Sequence, residues 1–111
     1  MRQVSKKRQK QLQRYYREKS RAAEKARADG TYKCWFDNKK LHGNTDWHHK
    51  YGRDNDMIFE GRVFVRHNNH MLYHNGTYEQ LSAQPWYENW LAKLKKEEPR
   101  LYYKEINRKD K

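Results

Sequence analysis

Apolar and aromatic residues in this chain come in short bursts, most of them after residue 30, and all four Trp lie there. Thr31 to Phe36 is an apolar-aromatic piece that reads as a strand, Asn38 to Asn44 as a turn, and Asp46 to Tyr51 as a second short strand. Residues 52–61 (GRDNDMIFEG) are loop-like, bounded by Gly52 and Gly61. Arg62 to Arg66 (RVFVR) is the clearest strand, with a β-branched and aromatic centre between charged ends. Asn68 to Tyr73 follows as one or two helical turns, closed by Asn75-Gly76. Thr77-Tyr78-Glu79-Gln80 has the form of a capping box, in which two side chains satisfy exposed backbone N–H groups, so a new helix opens there. Pro85 suits the first turn of another helix. Trp86, Trp90 and Leu94 then share one face with Tyr87 and Leu91 beside it, a stripe that reads as core packing. Pro99 breaks the chain again, and Leu101 to Ile106 forms a last amphipathic turn or two. The expected fold class is a small α+β domain.

Residues 1–29 are patterned differently. They contain no Pro and no Gly and are rich in Lys, Arg, Gln, Glu and Ala, all good helix formers. Asp29-Gly30 is a stop signal. Leu12, Tyr15, Ala22 and Ala26 make only a thin apolar stripe. The segment reads as a basic, mostly exposed helical arm, followed by a folded domain over 30–111.

Composition sharpens this picture. The 111 residues carry 26 Lys plus Arg against 14 Asp plus Glu, a formal charge of +12. Eleven basic and three acidic side chains fall in residues 1–29, so +8 of that charge sits in the arm. A polyanion is the natural partner, since each phosphate neutralised releases counterions. Lys6, Lys10, Arg14, Arg17, Arg21 and Lys25 are the candidate contacts to DNA, with RNA as the alternative polyanion. The plain reading of the same charge is a solubilising tail. A membrane-surface helix is disfavoured, because the apolar face lacks Leu, Phe or Trp in number. No apolar run approaches the roughly 18 residues of a span, and no secretory signal is visible. The single Cys34 excludes an internal disulfide framework and reads as a small buried hydrophobe. The expected setting is the reducing cytoplasm.

The histidines carry the candidate chemistry. His48 and His49 are adjacent at the end of an expected strand, so one ring can ligate a metal while the other faces a substrate. His70 and His74 are four apart in an expected helix and project from one face. Neutral imidazole is the commonest ligand for zinc and similar ions. Asp46 shares a strand face with His48, either as a support for a ligand or as a strand-end polar residue. His67 is an alternative ligand, and His42 has no special role. Arg53 is placed to hold a phosphate by a bidentate contact, its plain reading being a loop salt bridge to Asp54 or Asp56.

Cys34 to His74 resembles the HNH nuclease family in three pieces: DWHHKYGR (Asp46 to Arg53), RVFVR (Arg62 to Arg66) and HMLYH (His70 to His74). The pair of His followed by Gly-Arg is similar to small phage and prophage members. The resemblance implies a ββα-metal core over about 46–75, with the basic N-terminal helix before it and further helices over 77–111. It implies a metal-dependent endonuclease acting on DNA in the cytoplasm, a bacterial host's if the chain is phage-encoded. One divalent ion (Mg, Mn, Ni or Zn) would be held by His48, His70 and His74, with His49 as general base beside Arg53. Two departures stand out. Many members carry two Cys pairs that bind a structural zinc, and here those positions are Cys34, Asp37, Arg66 and Asn69. Aromatic packing is expected in place of that zinc. The family's base-orienting Asn falls nearest Gly61, and Asn55, Asn68 or a backbone carbonyl are the candidates to orient His49 instead. The alternatives are a non-catalytic nucleic-acid-binding module and a component of a phage DNA-packaging or recombination complex.

Overall fold

Two four-residue strands, β1 (Asp46–His49) and β2 (Arg62–Val65), form the sheet in a computed structural model that describes residues 5–51 and 59–108. They pair antiparallel, with Trp47 opposite Phe64 and His48 opposite Val63. The helix α1 (Lys6–Asp29) precedes them, and α2 (His67–Asn75), α3 (Tyr78–Ser82), α4 (Tyr87–Glu97) and α5 (Pro99–Arg108) follow. The fold is therefore α+β, with β1, β2 and α2 consecutive in the order strand, strand, helix. No described helix is long and apolar enough to cross a membrane.

Several element boundaries differ from the sequence expectation. Thr31 to Phe36 is not a strand. Tyr32, Cys34 and Phe36 are buried with the two-residue period of one, yet the chain turns over residues 35–37 and leaves only a bridge between Lys33 and Lys40. β1 ends at His49, because Lys50 and Tyr51 turn away toward Gly61. α2 begins at His67 and runs through Asn75, longer than the expected Asn68 to Tyr73. Gly76 does end it, but with extended backbone. Its need for Gly is close approach, since a Cβ would lie 2.5 Å from the Leu72 carbonyl oxygen. The Thr77–Gln80 capping box is formed in both directions. Pro85 lies in the turn before α4, whose N-cap is Trp86, rather than in its first turn. Pro99 opens α5, where its missing N–H is one the helix would leave unbonded anyway, so the last helix is ten residues long.

The core gathers Tyr32, Cys34 and Phe36 from the turn region, Val65 from β2, and Tyr87, Trp90 and Leu94 from α4. Trp86 and Leu91 are partly buried at its edge. α1 is docked on this body, not a free arm. Tyr15 packs on Trp47 (5.6 Å between ring centroids), Ala23 is buried, Arg27 lies over the Tyr32 ring, and Lys19 donates to Asn44. Lys6, Lys10, Arg14, Arg17, Arg21 and Lys25 are all exposed. At about 100° per residue they fall within an arc of roughly 100°, facing away from the Tyr15–Ala23 side.

The four positions where the HNH resemblance would put zinc-binding Cys pairs do meet in space, but as a polar clasp. Asp37 Oδ2 accepts from Arg66 Nε (3.1 Å) and Asn69 Nδ2 (3.0 Å). Cys34 Sγ accepts from the Arg66 N–H at 3.3 Å. Hydrogen bonds and an ion pair, rather than aromatic packing alone, thus tie the start of α2 to the residue 35–37 turn.

Glu105 is the one buried residue among those described in α5, and it is a carboxylate. It is 4% exposed, and its Oε1 lies 3.6 Å from Arg108 Nη1 without a hydrogen bond. Burial pushes its pKa above the usual carboxylate value, against the opposing pull of Arg108 and Tyr87. The unfolded chain releases this proton at lower pH than the folded one, so the site costs stability as pH rises above about 4.5. Glu105→Gln is therefore expected to stabilise the protein at pH 7 and to have little effect at pH 4. Urea unfolding at the two pH values checks this.

Candidate metal centre

Alternation along β1 decides what each of its residues can do. Asp46 and His48 point toward α2, whereas Trp47 and His49 point to the other face. Trp47 stacks on Phe64 and Phe59 on that side. His48 packs among Trp35, Phe36 and Tyr73 and is 4% exposed. On α2, His70 and His74 are one helical turn apart and face His48, at 5.0 and 5.3 Å between ring centroids. One ligand atom from each of the three rings lies within 4.8 Å of the others. The sequence-predicted ligands His48, His70 and His74 are thus brought together.

The protons on this cluster can be assigned from its hydrogen bonds. Asp46 Oδ2 accepts from His70 Nδ1 at 3.0 Å and from His67 Nδ1 at 2.7 Å. Burial works to raise the Asp46 pKa, but the bonds from His70 and His67 prevail and hold it below its ordinary value. With its proton on Nδ1, neutral His70 presents a lone pair at Nε2. His74 Nε2 lies 3.1 Å from that atom, so without a metal it must supply the hydrogen between them. His48 is held neutral, its pKa lowered to about 3 by burial and by the neighbouring His70 and His74. Burial, then His70 and Arg108, lower that of His74 as well.

These features fit a metal ion. At zinc–nitrogen distances of about 2.05 Å, two nitrogens 3.1 Å apart subtend an angle of roughly 98°, inside the range of real coordination. The buried His48 Nε2 has no hydrogen-bond partner among the described residues, and a metal would supply one. All three donors are imidazoles, which suits zinc or nickel better than magnesium, an ion that favours oxygen.

The remaining candidates fall elsewhere. His67 does not ligate; it is tied to Asp46 at the outer edge of the cluster. His49 is 7% exposed and outside the cluster, and its Nδ1 accepts the Tyr51 N–H at 3.2 Å. That bond keeps the lone pair at Nδ1 and places the proton of the neutral ring at Nε2. A backbone N–H, and not one of the carbonyl or Asn partners the sequence offered, is thus the group that meets His49 Nδ1. Asn68 is exposed, while Arg53 and Asn55 lie outside the described residues. Gly61, where the sequence resemblance would put an Asn, sits beside this arrangement: a Cβ there would lie 2.6 Å from Tyr51 Cε2 and 3.7 Å from His49 Cε1. Residue patterning gave no sign of the Lys50 and Tyr51 bonds to Glu98, which fasten the end of β1 to the α4–α5 junction (2.9 and 3.1 Å). The chain matches no family model, no curated protein and no solved structure.

Metal titration separates the two histidines on Asp46. His70→Ala is expected to abolish stoichiometric zinc or nickel binding, and His67→Ala to leave affinity within a few-fold. Asp46→Asn is expected to weaken binding by about 10–100-fold, the usual effect of removing a partner behind a ligand. Calorimetry on the three variants would count against the site if His70→Ala and His67→Ala behaved alike.

Proposed function

We propose that this chain is a divalent-metal-dependent endonuclease of HNH type that hydrolyses phosphodiester bonds in DNA. The observation that carries the reading is the convergence of three imidazoles from a strand and the helix after the hairpin, with Asp46 orienting one of them. The meeting of positions 34, 37, 66 and 69 adds support, because a shared framework would bring them together whether or not they hold zinc. The metal is proposed to be of the zinc or nickel type. When bound, it would polarise a phosphate oxygen and stabilise the leaving oxyanion.

The chain's own groups supply the rest. His49, the last residue of β1, is the proposed general base: its Nδ1 lone pair takes a proton from the attacking water after exchanging the Tyr51 N–H for that water. The water oxygen bonds to phosphorus as the bond to the leaving sugar oxygen breaks. The exposed basic face of α1 grips the backbone without reading bases, so little sequence preference is expected. A specific observation favours the second reading, a binding module without catalysis: His49 is buried and its Nδ1 is already engaged.

Plasmid nicking across a panel of divalent ions decides between them. His49→Ala is expected to lower the cleavage rate by about 10²–10⁴-fold while metal and DNA binding survive. His48→Ala is expected to lose metal and activity together. Absence of cleavage under every ion would leave the binding module in place of the enzyme.

The grip is tested separately by salt. Each phosphate that a side chain neutralises on duplex DNA contributes about 0.9 to the slope of log affinity against log salt. Replacing Lys10, Arg17 and Lys25 with Ala is therefore expected to reduce that slope by up to about 2.7. An unchanged slope, read by fluorescence anisotropy on duplex DNA, would remove α1 from the interface.

A further inference from the structure

A cleft of about 300 Å³ opens between α2, α4 and α5, directly beside the His cluster. His74 belongs to both: it is one of the three clustered imidazoles and it lines this cleft. Trp35, Tyr73 and Trp90 supply aromatic walls. Trp35 and Trp90 meet edge to face at 5.6 Å, and Tyr73 and Trp90 at 5.9 Å. Lys104 and Arg108 line the cleft from the last helix. Lys104 is exposed, and the Arg108 guanidinium lies over the Tyr73 ring while donating to the Tyr73 carbonyl.

Two of the lining residues, Trp90 and Glu105, carry unsatisfied polar atoms. Trp90 Nε1, a donor, and Glu105 Oε1, an acceptor, have no hydrogen-bond partner among the described residues, though the side chains are 2% and 4% exposed. Aromatic walls, a cationic side, and an unmet donor with an unmet acceptor together match one ligand class. A nucleotide has a base whose flat faces stack and whose edge both donates and accepts, and a phosphate that carries negative charge. A free phosphate would leave the rings unused, and an apolar ligand would leave the charges and the buried polar atoms unmet.

We propose that this cleft receives one unpaired nucleotide of the nucleic-acid substrate, its base against the partly buried Trp35 and Tyr73 and its phosphate against Lys104 and Arg108. The proposal rests on the nuclease reading and deepens it, placing that nucleotide next to the phosphate held at the His cluster. A paired base remains stacked in its duplex and cannot enter, so the favoured substrate contains single-stranded or frayed nucleotides.

The test uses the full-length chain and the fluorescence of its tryptophans, two of which line the cleft. Titration with each of the four deoxynucleoside 5′-monophosphates is expected to quench fluorescence saturably, and deoxyribose 5-phosphate to leave it unchanged. Lys104→Glu, an exposed substitution checked for folding by circular dichroism, is expected to weaken mononucleotide binding by at least about two- to fivefold, the range of a partly exposed ion pair. Lack of saturable quenching, an equal response to deoxyribose 5-phosphate, or an unchanged affinity in Lys104→Glu would overturn the proposal. Cleavage assays on single-stranded and blunt duplex DNA keep the two readings apart. Plasmid cleavage without mononucleotide binding sinks the cleft alone. Mononucleotide binding that weakens in Lys104→Glu, with no cleavage under any ion, upholds the cleft and sinks the nuclease.

Discussion

Everything at the candidate site depends on a four-residue strand that must be covered on both faces. A two-stranded sheet is marginal by itself in water. Here one face of β1 is covered through Trp47, which packs against Phe64, Phe59 and Tyr15 of α1. The other face is covered by Trp35, Phe36 and Tyr73 closing around His48. That closure removes water from an imidazole nitrogen that no described side chain satisfies. An unsatisfied buried polar atom costs about 1–3 kcal/mol, and binding of a metal ion would remove that cost. The packing that makes the sheet stable is therefore also what prepares His48 as a neutral ligand.

α2 must then be held at one distance and one rotation for His70 and His74 to meet His48. Two polar attachments do this. The Asp37–Arg66–Asn69 clasp fixes the helix start, and Asp46 takes hydrogen bonds from both His67 and His70. The second attachment also sets chemistry, because the proton it holds on His70 Nδ1 frees Nε2. Asp46 and His48 share a strand face, so positioning and ligation follow from one alternation.

The electrostatic arrangement is layered. Net positive charge is concentrated on the side of α1 turned away from the body, while its opposite side docks through Tyr15 and Ala23. Lys104 and Arg108 of α5 line the cleft beside the cluster, next to its aromatic walls. An outer basic surface suits long-range attraction of a polyanion, and an inner aromatic and cationic cleft suits contact with one of its units.

Much of this was written in the sequence. The α+β class, the RVFVR strand, the capping box, the core places of Trp90 and Leu94 and the end of α1 at Gly30 follow from local patterning, because turn chemistry and periodicity act over a few residues, whereas the structure buries Tyr87 and leaves Trp86 at the core's edge. The spacing of His70 and His74 fixed their common face for the same reason. Tertiary structure decided the rest. Thr31 to Phe36 had the alternation of a strand but makes only one bridge, Lys33 to Lys40, and a single backbone bond to β2, from the Trp35 N–H to the Phe64 carbonyl, which no local pattern reveals. Asp46 was legible as a neighbour of His48, but its choice between support and surface residue waited on where α2 lay. His49 could be placed on the opposite face by alternation, yet whether that face was open or covered depended on Tyr51, Gly61 and the backbone bond from Lys50 to Gly61. Contacts between distant residues, such as Asp37 with Asn69 or Lys50 with Glu98, need the chain to fold before they exist, and so they belong to the structure alone.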